Sequence, residues 1–486
     1  MQVSSNLMRF SLALYLATGC VSAAPPEHKG DFIPANLKMA CGDIVSCATL
    51  AAQYYQHLGA VPGSFRGTFN DWVAHHEFGK PAPTGGTSTE AHASYYNRGD
   101  LGIGRDMHCR TYSKPTPPPI FSFFTLACYV SNYGDGTHTF SQSDPGLAVK
   151  KATAGINDGH DPFATVAMEV DWVDGLQGFG SQEVRFLAYD VHGTPQLTVK
   201  LDISKGNTNS QAVPGTCMVC HGGHGADGLN TKVSPSPDGK VLALEGKFLP
   251  FDTAQFLYGD GTRSVPNAAE HEQFRQLNAQ IRGLYATWSV HPIKDLIDGW
   301  YGWCNGVNAP ACTSDPISHP FVPTGQCKGD QNGIYETCGW ATGAPPNAEL
   351  KPGFNMPEFY QKVPAAYCRM CHIAAPEQFN VQSFAQWFSL NQTIDSQVRR
   401  NNQMPLAEAT YNNYWSDGSA ITLLHQYLDP IHVNTPAQNA CLGVCGTQLT
   451  TCLAAANDLN GRERIRARAS CTRANALCSR NCLTVR

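Results

Sequence analysis

The order of apolar and polar residues predicts a sheet in the first half of the chain. Apolar and polar positions alternate over Thr165–Val170, Val184–Val191 and Gln196–Ile203, and turn residues separate these segments. A period of two places every second side chain on the same face of a strand. We therefore expect three consecutive strands that form a β-meander. Phe121–Asn132 is typical of a further strand, and Ile44–Leu58 is typical of a helix.

Two polar, glycine-containing stretches interrupt this pattern. Tyr95–Asp100 and Gly102–Cys109 combine glycines with charged and polar residues, so we expect loops there. Ala268–Tyr285 has helical spacing. Residues 24–210 are accordingly assigned to one α+β domain, and the chain after them is expected to be mainly helical.

Composition excludes some classes of function. The chain has 486 residues, of which 42% are hydrophobic, and this is enough for large buried cores. Its formal net charge of -5, without a long basic run, argues against nucleic-acid binding. After residue 23 no apolar run is long enough to span a bilayer, so an integral membrane protein is not expected.

The first 23 residues are typical of a secretory signal peptide. Arg9 is the only charged residue, Phe10–Val21 is apolar, and Val21-Ser22-Ala23 offers the small residues that a signal peptidase requires. We expect cleavage after Ala23 and export to the periplasm or cell surface of a bacterium. The alternatives are a short buried helix and lipid attachment at Cys20.

Two five-residue motifs carry the chemistry of the sequence. They are Cys217-Met218-Val219-Cys220-His221 and Cys368-Arg369-Met370-Cys371-His372. Both have the C-x-x-C-H pattern of c-type haem attachment, in which two thiols bond the porphyrin and the histidine binds iron. The sequence therefore predicts two covalently bound haem c groups. They would be held by Cys217, Cys220, His221, Cys368, Cys371 and His372.

Other uses of these cysteines are weaker interpretations. A zinc site needs a second ligand pair close by, and only His224 follows the first motif. A redox-active C-x-x-C is expected once, on a thioredoxin-like βαβ unit, and neither motif lies in such a context.

The second motif resembles the haem-binding part of a class I cytochrome c over about residues 355–432. A helical segment around Phe384–Phe388 follows it, then Met404-Pro405, then a segment with apolar residues at helical spacing. This resemblance implies that Met404 is the sixth iron ligand opposite His372. The alternative is that Met404 packs in a core.

The first motif has no comparable downstream methionine. Its sixth ligand would come from elsewhere in the chain, or the position would be open to solvent or substrate. His108 is the candidate that we select. Met107, His271 and His291 are the others.

The two motifs together resemble those of bacterial dihaem c-type cytochromes, including the dihaem cytochrome c peroxidases and related dihaem oxygenases. This resemblance is limited to motif number, spacing and Met404. A second resemblance, to secreted bacterial proteins of unassigned role, implies haem binding but no substrate. It rests on the first motif and on four other stretches: Tyr96–Gly102, Met107–Cys109, Cys128–Val130 and Phe248–Asp252.

The C-terminal tail has six cysteines in mirror order. Cys441, Cys445 and Cys452 are spaced four and seven residues apart, and Cys471, Cys478 and Cys482 seven and four. Folding the chain near Asn460-Gly461 makes an antiparallel helical hairpin with the pairs Cys441–Cys482, Cys445–Cys478 and Cys452–Cys471. The alternative is a metal site. Nearness along the chain favours four further pairs: Cys41–Cys47, Cys109–Cys128, Cys304–Cys312 and Cys327–Cys338.

The predicted organisation is an α+β N-terminal domain, mainly α cytochrome c-like haem domains and a disulfide-stapled C-terminal helical hairpin. The expected boundaries are 1–23, 24–210, 211–345 for the first haem region, 346–438 for the second, and 439–486 for the hairpin.

Three functions are compatible with this organisation. The first is electron transfer with an unidentified redox partner protein. The second is a peroxidase or oxygenase that acts at an open first haem. Glu272 beside His271 is one acid–base candidate for it, and no catalytic residue is assigned. The third is a surface binding module in which haem acts as a sensor.

Overall fold

A computed structural model provides the fold. It describes residues 44–82, 86–114, 123–134, 145–154, 162–173, 184–199, 211–222, 246–286, 291–302, 315–318, 320–323, 340, 354–375, 381, 384–400, 410, 413–414, 417–428, 436–457, 467, 471, 474, 478 and 482. The predicted signal peptide, Cys20, Met404 and His224 lie outside these residues. So do Cys41 and the pairs Cys304–Cys312 and Cys327–Cys338.

The main sheet has six strands, and every neighbouring pair is antiparallel. Five of the strands follow one another along the chain and in the sheet, and the short β8 joins the free edge of β1. Separately, β6 (Thr198–Val199) pairs with β7 (Gln211–Ala212). The strands of the main sheet are β1 (Ser88–Asn97), β2 (Ile103–Lys114), β3 (Phe123–Tyr133), β4 (Ala164–Val173), β5 (Arg185–Tyr189) and β8 (Phe256–Leu257).

The loop predicted over Gly102–Cys109 is wrong, because Ile103–Cys109 belongs to β2 in the interior of the sheet. Of the loop predicted over Tyr95–Asp100, Tyr95–Asn97 ends β1, whereas Arg98–Asp100 lies in the turn between the two strands. The composition of β2 misled because polar side chains such as Asp106 and His108 find partners on one face of the sheet. Between β1 and β2, Gly102 adopts φ +70° in the turn, a conformation that favours glycine. The β-meander is correct only for its first two strands, since β6 pairs with β7 and not with β5.

The helices lie mainly in the second half of the chain, as the sequence predicts. Residues 44–58 and 268–285 are helical close to the expected bounds. Pro364–Cys368 and Ile394–Arg400 are π-helical turns. The α-helices are α1 (Ile44–His57), α2 (Phe69–His75), α3 (Pro145–Ala154), α4 (Gly215–His221), α5 (Ala268–Leu284), α6 (Pro292–Tyr301), α7 (Met356–Lys362), α8 (Arg369–His372), α9 (Phe384–Ser389), α10 (Asn391–Thr393), α11 (Gly418–Leu428) and α12 (Pro436–Asn457).

One large hydrophobic core joins the sheet to the segment that carries the first motif. It contains residues of β1 to β5, α5 and α6, and it continues through Met218 in α4 to Ile373 just after the second motif. Packing therefore does not break at the expected boundary between residues 210 and 211. A second core is formed by Trp340 and by helices between Met356 and Leu428.

The predicted disulfide staples of the tail are confirmed as pairs at bonding distance. The sulfur atoms lie 1.91 Å apart in Cys441–Cys482, 1.93 Å in Cys445–Cys478 and 1.96 Å in Cys452–Cys471. Because all six thiols are paired, the alternative of a metal site in the tail is not supported. Cys109–Cys128 is also confirmed, and it links directly opposed positions of β2 and β3.

Within the described ranges, no helix is both long enough and apolar enough to cross a membrane.

Candidate functional site

The first C-x-x-C-H motif lies on α4 and ends it. Cys217 and Cys220 are free thiols, and both are partly exposed. His221 is the last residue of the helix. Gly222 then caps the helix with φ +67°, and its N–H donates to the Met218 carbonyl at 2.9 Å. The glycine after the motif thus turns the chain directly behind the histidine.

The second motif begins in a π-helical turn. This turn covers Pro364–Cys368, and Arg369–His372 continues as α8. Cys368 and Cys371 are free thiols with partial exposure. Single π-helical turns inside helices occur frequently at functional sites. Each motif therefore presents two unpaired thiols and a histidine from one short helical segment.

The fold brings the two motifs into contact, although 151 residues separate their second cysteines. Sγ of Cys371 lies 3.4 Å from Sγ of Cys220. The backbones after the motifs also meet, since a Cβ on Gly222 would lie only 2.0 Å from the Ala374 carbonyl oxygen. Only glycine permits this approach. The two predicted attachment sites are therefore one structural unit.

Lys247 connects the same two segments. Its backbone N–H donates to the His221 carbonyl at 2.8 Å, and its ammonium donates to the Ala374 carbonyl at 3.0 Å. Its own carbonyl accepts a hydrogen bond from Nδ1 of His221 at 2.8 Å. Because a carbonyl only accepts, the proton is on Nδ1 and the lone pair is on Nε2. Such a hydrogen bond is typical of metal-binding histidines, whose orientation it fixes.

Burial favours the neutral imidazole that iron requires. It lowers the pKa of His221 to about 4, against the effect of the Lys247 carbonyl. At neutral pH the ring is therefore uncharged, with Nε2 able to act as a ligand.

The motif thiols are not set up as redox nucleophiles. Burial raises the pKa of Cys217 and of Cys368 to about 12. The hydrogen bond with Cys371, together with burial, raises the pKa of Cys220. Reactive cysteines instead have lowered pKa values, because the thiolate is the nucleophile. This electrostatic setting disfavours the redox interpretation of the motifs.

The zinc interpretation finds no support in the geometry. Among the described residues, the four motif cysteines are not part of any group of three metal-binding side chains whose ligand atoms lie within 4.8 Å of one another. A tetrahedral zinc site needs four ligand atoms around one ion.

A partly buried arginine from the sheet acts on the first motif. Arg105 on β2 donates to Asp100 at 2.9 Å, and its side chain is 15% exposed. Its positive charge acts on both Cys220 and His221. The residues present at the motifs therefore fit a haem group in their thiols and imidazoles, with a positive charge nearby.

The turn between β1 and β2 packs on the second motif. A Cβ on Gly99 would lie 2.9 Å from Cε of Met370, the residue between the two cysteines. The Thr410 hydroxyl donates to the Gly99 carbonyl, and the Asn413 amide donates to the Arg98 carbonyl at 2.7 Å. The sheet thus reaches both motifs, through Arg105 and through this turn.

A buried ion pair anchors the second motif to the segment before β8. Arg369 donates to Asp252, and their side chains are 8% and 9% exposed. The Arg369 guanidinium also lies 5.4 Å from the centre of the Trp300 ring. The sequence resemblance includes two of these stretches, Tyr96–Gly102 and Phe248–Asp252. Both therefore contact the second motif, Cys368–His372.

His108 is not brought to the first motif. Side chains alternate along β2, so His108 and Asp106 share one face while Arg105 and Met107 share the other. His108 instead contacts Asp106, His92 and Tyr129, whereas Arg105 is the β2 residue that acts on Cys220.

The contacts of the other candidates do not single out a sixth ligand. His271 lies 3.8 Å from Asp315. Glu272, the acid–base candidate beside it, pairs with Arg275 at 2.7 Å. His291 stacks on Tyr285, with ring centres 3.8 Å apart. Met107 is buried on the face of the sheet that carries Arg105.

Sequence reasoning missed the residues that support the two motifs. Arg105, Asp252 and Lys247 are far from the motifs in the chain, and only Asp252 lies in a stretch that the resemblance quotes. The spacing of residues gives no signal for such contacts, because the pairing of strands and the path of the chain after residue 245 create them.

Comparison with known proteins gives no family for this chain. No protein-family model matches it, and no curated protein or solved structure is similar to it at a significant level.

Proposed function

We propose that the protein is an exported dihaem c-type cytochrome that transfers electrons to or from a redox partner protein. One haem c would be bound by Cys217, Cys220 and His221, and the other by Cys368, Cys371 and His372. The observation that carries this proposal is the 3.4 Å contact between Cys220 and Cys371, which joins two C-x-x-C-H motifs in one site.

The contact matters because Cys220 and Cys371 would hold two haem groups close together. Since electron tunnelling slows steeply with distance, this nearness would favour electron exchange between the two groups. Bound haem supplies the one-electron chemistry, and its potential depends on axial ligands, burial and nearby charge.

The surrounding residues have separate tasks in this proposal. Lys247 holds His221 with Nε2 available for the iron, through the 2.8 Å bond to Nδ1. The positive charge of Arg105, which acts on Cys220 and His221, would influence the reduction potential of the first site. The Arg369–Asp252 pair holds the helical segment of the second motif in position.

The class I cytochrome resemblance of residues 355–432 completes the proposal for the second site. It gives Met404 as the ligand opposite His372, and thioether ligation raises the reduction potential. A signal peptide over residues 1–23 would deliver the chain to the compartment where haem is attached to thiols.

The first test is haem content. The mature chain should have the mass of the polypeptide plus two haems, and it should stain for haem on a denaturing gel. Cys217→Ala with Cys220→Ala, and Cys368→Ala with Cys371→Ala, should each lose one covalent haem. The matched control, Cys452→Ala with Cys471→Ala, should keep both. A native mass that shows no haem would contradict the proposal.

The second test is the interaction between the sites. In a redox titration of the wild type, oxidation of one haem should change the potential of the other, because two charges would lie side by side. A chain that retains a single haem should show one unperturbed potential. Two independent potentials in the wild type would contradict adjacent attachment. High-spin ferric bands that respond to hydrogen peroxide would favour the peroxidase or oxygenase alternative.

A further inference from the structure

Two histidines and one aspartate meet on the face of the sheet opposite Arg105 and Met107. Nε2 of His92 lies 2.5 Å from one carboxylate oxygen of Asp106, and Nε2 of His108 lies 3.1 Å from the other. One ligand atom from each of the three residues lies within 4.8 Å of the others. The proposed dihaem function uses none of these side chains.

The register of the sheet fixes this arrangement. His92 on β1 is directly opposite His108 on β2. Asp106 is two residues before His108 and therefore projects from the same face. Side chains at directly opposed positions of antiparallel strands start about 5 Å apart at Cβ. Three residues with metal-binding side chains thus come from two rigid strands rather than from loops.

Neighbouring side chains hold each member of the group. The ring of His108 stacks between His92 and Tyr129, with ring centres 4.2 Å and 4.6 Å apart. The Ser94 hydroxyl donates to Asp106 at 3.1 Å. The disulfide at Cys109 and Cys128 lies next to His108 and Tyr129 on the same two strands. The site is therefore held in place by groups around it.

The three side chains differ in solvent exposure, and one side of the group is open to a ligand that exchanges with solvent. The Asp106 side chain is 14% exposed and that of His108 22%, whereas that of His92 is 44% exposed. The Asp106 carboxylate thus lies at the buried end of the group, and His92 lies at the end that is open to solvent.

We infer that His92, Asp106 and His108 form a binding site for one divalent transition-metal ion of the zinc class. Two imidazoles and one carboxylate are a donor set that zinc accepts, with the remaining coordination position open to solvent. Zinc binds imidazole nitrogen and carboxylate oxygen at about 2.0–2.2 Å, so ligand atoms around one ion are roughly 3.3 Å apart. To bind one ion through both imidazoles, the stacked rings of His92 and His108 must turn from their present interplanar angle of 27° until both Nε2 atoms face it.

The competing interpretation is a hydrogen-bonded group without a metal. The Asp106 carboxylate accepts hydrogen bonds from both imidazoles in the present geometry. In a metal site each neutral imidazole would bind the ion through Nε2 and carry its proton on Nδ1. The two interpretations therefore differ in measurable zinc affinity.

The test uses the full-length protein with whatever haem it carries, freed of metals by a chelator and titrated with zinc chloride in a calorimeter. We expect one zinc ion per chain at this site. His92→Gln and His108→Gln should each weaken zinc binding at least tenfold. His192→Gln changes an exposed histidine that follows β5, and it should leave the affinity unchanged. Circular dichroism checks that all variants are folded.

X-ray absorption at the zinc edge gives a second readout. Two imidazoles and oxygen ligands support the site, and sulfur ligands would overturn it by placing the zinc on the motif cysteines. Unchanged affinity in both His92→Gln and His108→Gln would also overturn it. Since the experiment does not depend on haem content, its failure is distinguishable from failure of the dihaem proposal.

Discussion

At the scale of single residues, Gly222 determines how closely the two motifs approach. It combines φ +67° with a hypothetical Cβ position 2.0 Å from the Ala374 carbonyl oxygen. Gly59 has nearly the same φ, +66°, but nothing lies within 4 Å of its hypothetical Cβ. Gly59 therefore serves as a comparison position, because it has a positive φ but no close contact at its hypothetical Cβ.

We predict that Gly222→Ala destabilises the protein more than Gly59→Ala does. At Gly59 the positive φ should cost about 1–2 kcal/mol. Gly222 combines φ +67° with ψ -157°, a conformation essentially restricted to glycine, which should cost about 1–3 kcal/mol. The collision with Ala374 should add roughly 1–3 kcal/mol at Gly222 alone. Unfolding in denaturant measures both values. Equal losses would contradict the close approach of the motifs.

Glu169 is a second residue whose role depends on its surroundings. It is buried on β4, where it accepts hydrogen bonds from Trp72 and His76 at 2.7 Å and 2.8 Å and also from Arg66. Burial alone would raise its pKa, but the hydrogen bond with His76 and the charge of Arg66 outweigh burial and lower it. The carboxylate is thus ionised in the folded protein.

This lowered pKa predicts a loss of stability in acid. The folded state binds fewer protons at Glu169 than the unfolded state does, so the contribution is complete above the ordinary pKa of 4.5 and is lost as pH falls below it. Glu169→Gln should cost about 3–5 kcal/mol at neutral pH, because it leaves a buried positive charge unpaired.

Denaturant unfolding between pH 3 and pH 7 measures this effect, and the variant should also depend less on pH over the acid part of that range. Glu358→Gln is a control at an exposed helix position, and it should change stability by less than about 0.5 kcal/mol. A pH profile of Glu169→Gln that matches the wild type would contradict the assignment.

At the scale of elements, the tail is linked by its three disulfides. Among its described residues the buried apolar cluster is small and consists of Leu449, Ala456 and Cys471 with two neighbours. So small a core cannot stabilise a helical hairpin alone, and disulfides replace it. The mirror spacing of six cysteines was sufficient to predict all three pairs, because helical geometry allows each pairing only in that order.

We expect that deletion of residues 439–486 leaves the visible absorbance spectrum of the remaining chain unchanged. None of the residues assigned to haem binding lies in the tail. Reduction of the three disulfides should unfold the hairpin, since each staple contributes about 3–4 kcal/mol by restricting the unfolded chain. Loss of the haem spectrum on deletion would contradict an autonomous tail.

The elements also show where sequence patterns mislead. β1 and β2 read as loops because Asp106, His108 and Arg110 are polar. In the sheet these side chains share one face and are paired there, with Arg110 donating to the Lys80 carbonyl at 2.6 Å. Polar residues can occupy interior strands when partners satisfy them, and the partners lie on segments that are distant in the chain.

At the scale of the whole molecule, one hydrophobic core crosses the expected division at residue 210, and that division stays a prediction. The sheet, α4 and Ile373 share this core. A boundary based on composition cannot detect packing between segments that are far apart in the chain. The sheet therefore contributes Arg105 and the Gly99 turn to the surroundings of the two motifs.

The sequence alone predicted the chemistry and much of the local structure. Two C-x-x-C-H motifs, helices with apolar spacing and six mirrored cysteines depend on residues that are close along the chain or related by a simple period. Tertiary structure decided everything that depends on distant pairs. It places Cys220 in contact with Cys371. It places His108 in a group with His92 and Asp106 rather than at the first motif. The physical reason is that strand register and core packing set these contacts, and neither is encoded in any short stretch of the chain.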